Sequence, residues 1–151
     1  MEVAERASDA RVIITNKVKV PGSLITALPS LRLICAAATG VDNIDTAAAK
    51  RQGIAVCNVR GYATNTVPEH VFALLLALRR NLARYQQAVR DGEWSRAETF
   101  CLHNFPIRDL ARHAMGIVGH GSLGRAVGRL AQAFGMRVLI SESPGVSDAR
   151  A

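Results

Sequence analysis

The segment MGIVGHGSLG, residues 115–124, is followed by a helical stretch, Arg125 to Phe134, and then by a second apolar run, Met136 to Ile140. Read in order, a strand enters G-x-G-x-x-G, a helix leaves it, and a parallel strand returns. Each glycine has a physical duty in that reading. Gly119 permits the tight turn, Gly121 lets the backbone approach a pyrophosphate, and Gly124 lets helix and strand pack closely. The helix then aims free N–H groups and the positive end of its dipole at the phosphates. Glu142 falls 18 residues after Gly124, just past the second run, where a carboxylate accepts hydrogen bonds from ribose hydroxyls. An acid there repels a 2′-phosphate and favours NAD over NADP. A bare structural turn is the competing reading, and it explains neither the paired strands nor the acid. Ser122 is either an N-cap or a phosphate ligand, and His120 reads as a solvent-facing filler.

Outward from this turn the same alternation recurs. Val12–Thr15, Leu31–Ala36 and Ile54–Asn58 are short runs rich in Val, Ile and Leu, read with the two runs above as buried parallel strands. Asp45 is an N-cap candidate and Gly53 a stop for the Ala-rich helix between them. Thr66 and Glu69 form a capping-box pattern, with Pro68 in the first turn. One long helix is expected from there to about Val89. Residues 91–112 lose periodicity and read as irregular. Parallel strands need crossover connections, so the fold class is α/β.

Composition narrows the function classes. The chain has 151 residues, 49% of them hydrophobic and 21% charged, as a core-forming globular protein requires. Its longest apolar run, Val71 to Leu78, is far short of the roughly 20 residues of a membrane span. The first twenty residues carry charges and no apolar h-region, so cytoplasmic residence is expected. Net charge is +7 with 5% aromatic residues. Nucleic-acid binding would call for clustered charges interleaved with stacking aromatics, and the sequence suggests neither. Arg79, Arg80, Arg84 and Arg90 fit a solvated helix face. Cys35, Cys57 and Cys101 are widely spaced, with no metal-ligand pattern, and are expected to be reduced and mostly buried.

A second cluster, AAATGVDNID at Ala36–Asp45, turns at Thr39 and Gly40. Such turn amides can form an anion-binding nest. The alternative is an ordinary turn with Asx caps.

Several stretches together resemble the D-isomer-specific 2-hydroxyacid dehydrogenase family, most closely its glycerate dehydrogenase and hydroxypyruvate reductase branch. They are VIITNKV (12–18), LRLICAAATGVDNID (31–45), GIAVCNVRGYATNTV (53–67), EHVFALLLAL (69–78), GEW (92–94) and GIVGHGSLGRAVGRLAQAFGMRVL (116–139). The resemblance implies a partial flavodoxin-like substrate domain over residues 1–63. The first βαβ unit of a Rossmann NAD-binding domain, with the long interdomain helix, would occupy residues 64–151. It implies that the amides of Ala38, Thr39 and Gly40 hold a substrate carboxylate and that Val67 packs near the nicotinamide. Gly119, Gly121, Ser122, Leu123, Gly124 and Glu142 would hold the rest of NAD.

The family's catalytic Arg, acid and His lie downstream of the second nucleotide-domain strand, so no catalytic residue is assigned here. His70, His103, His113 and His120 fall outside the catalytic motifs. The expectation is therefore a chain truncated at both ends, related to enzymes acting on a small 2-keto or 2-hydroxy acid. A non-catalytic NAD(H)-binding module or an inactive remnant is the alternative. Arg112, His113 and Ala114 stand where relatives usually carry Gly, Lys and Thr. The resemblance implies a homodimer in the full-length family, formed through the long helix and the Gly92–Leu110 segment, and self-association or aggregation of this chain.

Overall fold

The computed structural model describes residues 3–141. It divides into two compact units with the boundary between Tyr62 and Ala63. After a short helix α1 (Val3–Arg6), the first unit runs β1 (Val12–Thr15), α2 (Gly22–Thr26), β2 (Leu33–Ala36), α3 (Thr46–Arg51) and β3 (Ala55–Asn58). The three strands are parallel in the order β1-β2-β3. Inward residues form rows across them: Ile13 beside Ile34 beside Val56, then Thr15 beside Ala36. Against those rows pack Val20, Ile25, Leu28, Leu31, Ile44, Ala48, Ala49 and Ile54. As the sequence suggests, Asp45 caps α3, its Oδ1 accepting the Ala48 N–H at 2.8 Å, and Gly53 follows in a left-handed conformation.

The second unit comprises α4 (Thr66–Arg79), α5 (Leu82–Arg90), α6 (Glu93–Arg96), β4 (Ala114–Val118), α7 (Ser122–Ala133) and β5 (Arg137–Ser141). β4 and β5 are parallel, with Met115 beside Val138 and Ile117 beside Ile140. Helices α4 and α7 pack through Phe72 and Ala131, and the Phe72 and Phe134 rings stack with centroids 5.0 Å apart. The result is a mixed α/β fold built on parallel sheets.

Four sequence expectations need correction. The helix from Thr66 does not run unbroken to Val89: Asn81 adopts φ 52°, ψ 38° and separates α4 from α5. Asn is the non-glycine residue that tolerates this region best, and its side-chain amide donates to the Pro106 carbonyl. The Thr66–Glu69 capping box does not form, because Asn65 takes the N-cap position and no side chain caps the helix. The strands are parallel but not buried on both faces. Ile14 is 75% exposed and Val118 85%, since the described helices of the first unit cover one face of its sheet and α7 crosses one face of the second. The cysteines are free, but Cys57 is exposed and Cys35 and Cys101 are only partly covered. Alternation along β2 and β3 turns Cys35 and Cys57 away from the core.

Candidate functional site

At the end of β4 the chain must leave the sheet and start a helix within three residues. Gly119 makes the bend with φ 94°, a conformation costly for any residue with a Cβ. Its N–H reaches the Ser141 carbonyl at 3.4 Å. Gly121 takes the N-cap position of α7, which removes the N-cap alternative for Ser122, the first helical residue. The first intrahelical bond is Arg125 N–H to Gly121 O, 2.9 Å. A helix start leaves its first amides without partners unless something caps them. Here no side chain does. Among the described residues, the N–H groups of Ser122, Leu123 and Gly124 find no acceptor.

The glycines divide by what demands them. A Cβ on Gly124 would overlap the Gly119 carbonyl oxygen, and it would sit 3.3 Å from Ile117 Cγ2. Glycine is therefore required there by the protein itself. One turn on, a Cβ at Gly128 would meet Ile117 Cδ1 at 3.6 Å, ordinary contact. A Cβ on Gly121 would meet nothing within 4 Å, and its φ of −72° suits any residue. Nothing packed against residue 121 in the described protein requires glycine there, and the space a side chain would fill stays open.

The turn opens on a groove of about 550 Å³ lined by Gly119, Gly121, Ser122, Leu123 and Gly124 together with Val71 of α4. The structure thus brings together all but one of the predicted phosphate-side residues. Glu142 lies outside the described residues. Val67, 38% exposed near the start of α4, is not in the groove wall; Val71, one helical turn further along, is. The sequence reading passed over Val71 because helical spacing fixes the spacing of a stripe and not which of its members meets a neighbour. It also passed over Arg125, whose guanidinium folds back to the His120 carbonyl at 3.0 Å and places a positive charge at the turn. An Arg immediately after the last glycine was the available signal.

The second predicted cluster lies in the first unit, after β2. The Ala37 N–H still extends the sheet, donating to Thr15 O. Beyond it the chain is held by residues about twenty positions away. Val59 N–H donates to Ala38 O at 3.0 Å, Thr39 Oγ1 to Val59 O at 2.8 Å, and Asn58 Nδ2 to Thr39 O at 2.7 Å. These bonds occupy the carbonyls and the hydroxyl. They leave the amides of Ala38, Thr39 and Gly40 without an acceptor among the described residues. Three consecutive unsatisfied N–H groups in a pinned turn favour an anion. Each unit therefore presents one run of backbone N–H groups without an acceptor among the described residues.

None of the four histidines has a carboxylate partner among the described residues, and all four are exposed. No metal-ligating group of three or more side chains occurs there. No helix among the described residues is long and apolar enough to cross a membrane.

Comparison with known proteins assigns this arrangement to a family. The model for the catalytic domain of the D-isomer specific 2-hydroxyacid dehydrogenases matches residues 1–142. The chain belongs to that family. It is 47% identical over 138 residues to the glycerate dehydrogenase of Methylorubrum extorquens, covering 91% of this chain and 44% of the relative. It is 36% identical to the hydroxypyruvate reductase of Blautia hydrogenotrophica, covering 91% of this chain and 43% of that one. The Aquifex aeolicus D-lactate dehydrogenase, solved in complex with NAD and lactic acid, superposes with a TM-score of 0.75 at 30% identity. That match covers 97% of this chain and 43% of the other. The chain thus spans less than half the length of these relatives.

Proposed function

We propose that this chain is the dinucleotide-phosphate and substrate-carboxylate part of an NAD-dependent 2-hydroxyacid oxidoreductase acting on hydroxypyruvate, glyoxylate or a similar small 2-keto acid. The observation that carries the reading is the uncapped start of α7 beside Gly121, where side-chain room is left unused by the protein. A pyrophosphate suits that place. It accepts hydrogen bonds from the free amides of Ser122, Leu123 and Gly124, and its charge is favoured by the helix dipole. Arg125 adds a cation at the same turn. NAD(H), when bound, supplies the hydride acceptor or donor. The names and titles of the relatives agree with such chemistry: they are dehydrogenases and reductases of 2-hydroxy and 2-keto acids, and one was solved with NAD.

In this reading Ala38, Thr39 and Gly40 bind the substrate's carboxylate through their backbone, so recognition does not depend on the substrate's side chain. Val67 and Glu142 keep their proposed places near the nicotinamide and the adenosine ribose. General acid–base work needs a proton carrier held in position, and none of the four histidines is so held. We therefore expect this chain to bind without appreciable turnover by itself.

Calorimetric titration with NADH tests the reading. Saturable binding is expected, weakened about tenfold or more, on the order of 1.4 kcal/mol, by Gly121→Val. No heat with folded protein, or no effect of the substitution, rejects it. Rapid NADH consumption with hydroxypyruvate by the purified chain would reject the absence of turnover. For self-association the surface to watch is the groove of about 540 Å³ lined by Leu82, Tyr85, Val89, Trp94 and Ile107. Size-exclusion chromatography showing a monomer at high concentration would count against it.

A further inference from the structure

Cys35 and Cys57 are 22 positions apart in the chain, yet they are direct register partners on the adjacent parallel strands β2 and β3. Register partners on neighbouring strands have Cα atoms about 4.8 Å apart and project their side chains to the same face. That separation lies within the range of about 4.4–6.8 Å over which two cysteines can be bridged. The face concerned is the one turned away from the core. Cys57 is exposed and Cys35 partly so, and their row continues to Ile14, which is also exposed. Both thiols are free and reachable from solvent on the described chain.

From this juxtaposition we propose that Cys35 and Cys57 form a cross-strand dithiol, a redox modification site oxidised to a disulfide by exchange with a small disulfide such as oxidised glutathione. The thiolate of one cysteine attacks the small disulfide, forming a mixed disulfide and releasing one glutathione thiolate. The second cysteine, deprotonated, attacks the protein sulfur of that mixed disulfide and releases the second. Two protein thiols lose two electrons and two protons. The small disulfide gains both, leaving as two thiols. In-register parallel neighbours keep their Cβ atoms nearly as far apart as their Cα atoms, beyond the roughly 3.8 Å of a relaxed bridge. The resulting bond is strained, and strained, exposed disulfides are the readily reduced ones. The site is thus reversible. Cys101 has no such neighbour; its Sγ instead lies 3.0 Å from His103 Nε2.

The test is to incubate the full chain with oxidised glutathione, quench with acid, and map disulfides by mass spectrometry of tryptic digests. A linked pair of peptides, residues 33–50 with 52–60, should dominate over every pairing involving Cys101. In urea, where the sheet no longer sets the neighbours, the same reaction should spread over all three pairings. Mild dithiothreitol should release the native link before it releases a random one formed in urea. Cys57→Ser should convert the product into a lasting glutathione adduct on Cys35. Separate stable adducts on Cys35 and Cys57 in the folded wild-type chain, or a pairing pattern identical with and without urea, would overturn the proposal.

Discussion

The two units of the molecule use similar parallel βαβ connections and reach different degrees of closure. In the first, a three-stranded sheet with three short helices encloses the largest fully buried side chains of the described residues: Val20, Ile25, Leu28, Leu31 and Ile34. In the second, a longer stretch of chain with more helix encloses a looser cluster around Phe72, Leu110, Ala131 and Met136. There Leu74, Leu78, Leu82 and Leu139 are exposed. The difference shows that apolar content does not by itself make an interior. The first unit has a central strand, β2, paired on both sides. Among the described residues the second has two strands and no centre, so its helices have less surface to bury against.

Substitutions can break or sharpen that contrast. The largest effect is expected from Ile34→Ala, on the order of 2–5 kcal/mol because the methylenes leave a cavity in a closed core. It should raise hydrogen exchange across β1, β2 and β3 while sparing the fluorescence transition of Trp94, the only tryptophan and a member of the second unit. Equal shifts in both probes would dissolve the distinction between the units.

A smaller loss, on the order of 1–3 kcal/mol, should follow Gly124→Ala, where a methyl group meets backbone that must move. That loss should appear in the Trp94 transition. Gly121→Ala should leave that transition in place, since the added carbon enters open space, and should act only on NADH affinity. Asp45→Ala removes the α3 cap and should cost the first unit about 1 kcal/mol, read from urea midpoints by circular dichroism.

The smallest effect is a gain. Arg112 sits at φ 68°, a placement costing a side-chain-bearing residue about 1–2 kcal/mol. Glycine removes that cost but adds about 0.5–1 kcal/mol of chain entropy to the unfolded state. Arg112→Gly should therefore stabilise the second unit by about 0.5 kcal/mol.

The strands were legible in the sequence to within about two residues, because short β-branched and Leu-rich runs between helical segments leave few other solutions. The Gly-rich turn was legible because its demands are local: a positive φ at Gly119 and a close approach at Gly124. The break at Asn81 was not, since one left-handed residue scarcely disturbs a stripe of apolar spacings. The turn at Ala38–Gly40 stayed ambiguous from sequence because Asn58, at the end of β3, and Val59, just past it, fix which of its polar groups are used. Exposure of Cys57 was hidden for a related reason. Alternation says that neighbours face opposite ways, not which way is inward.

Gly124 and Gly128 both lie over Ile117, but only the first is pressed against backbone. Helix α7 is thus seated against backbone at the end where its amides are free, and later along its length against side chains, with Ala131 in the core cluster and Phe134 stacked on Phe72. Side chains can repack where a carbonyl oxygen cannot, so a change near the far end can be absorbed by its neighbours while the turn keeps its shape. Sequence drift along the outer turns of α7 can then accumulate without displacing the edge that would meet a nucleotide.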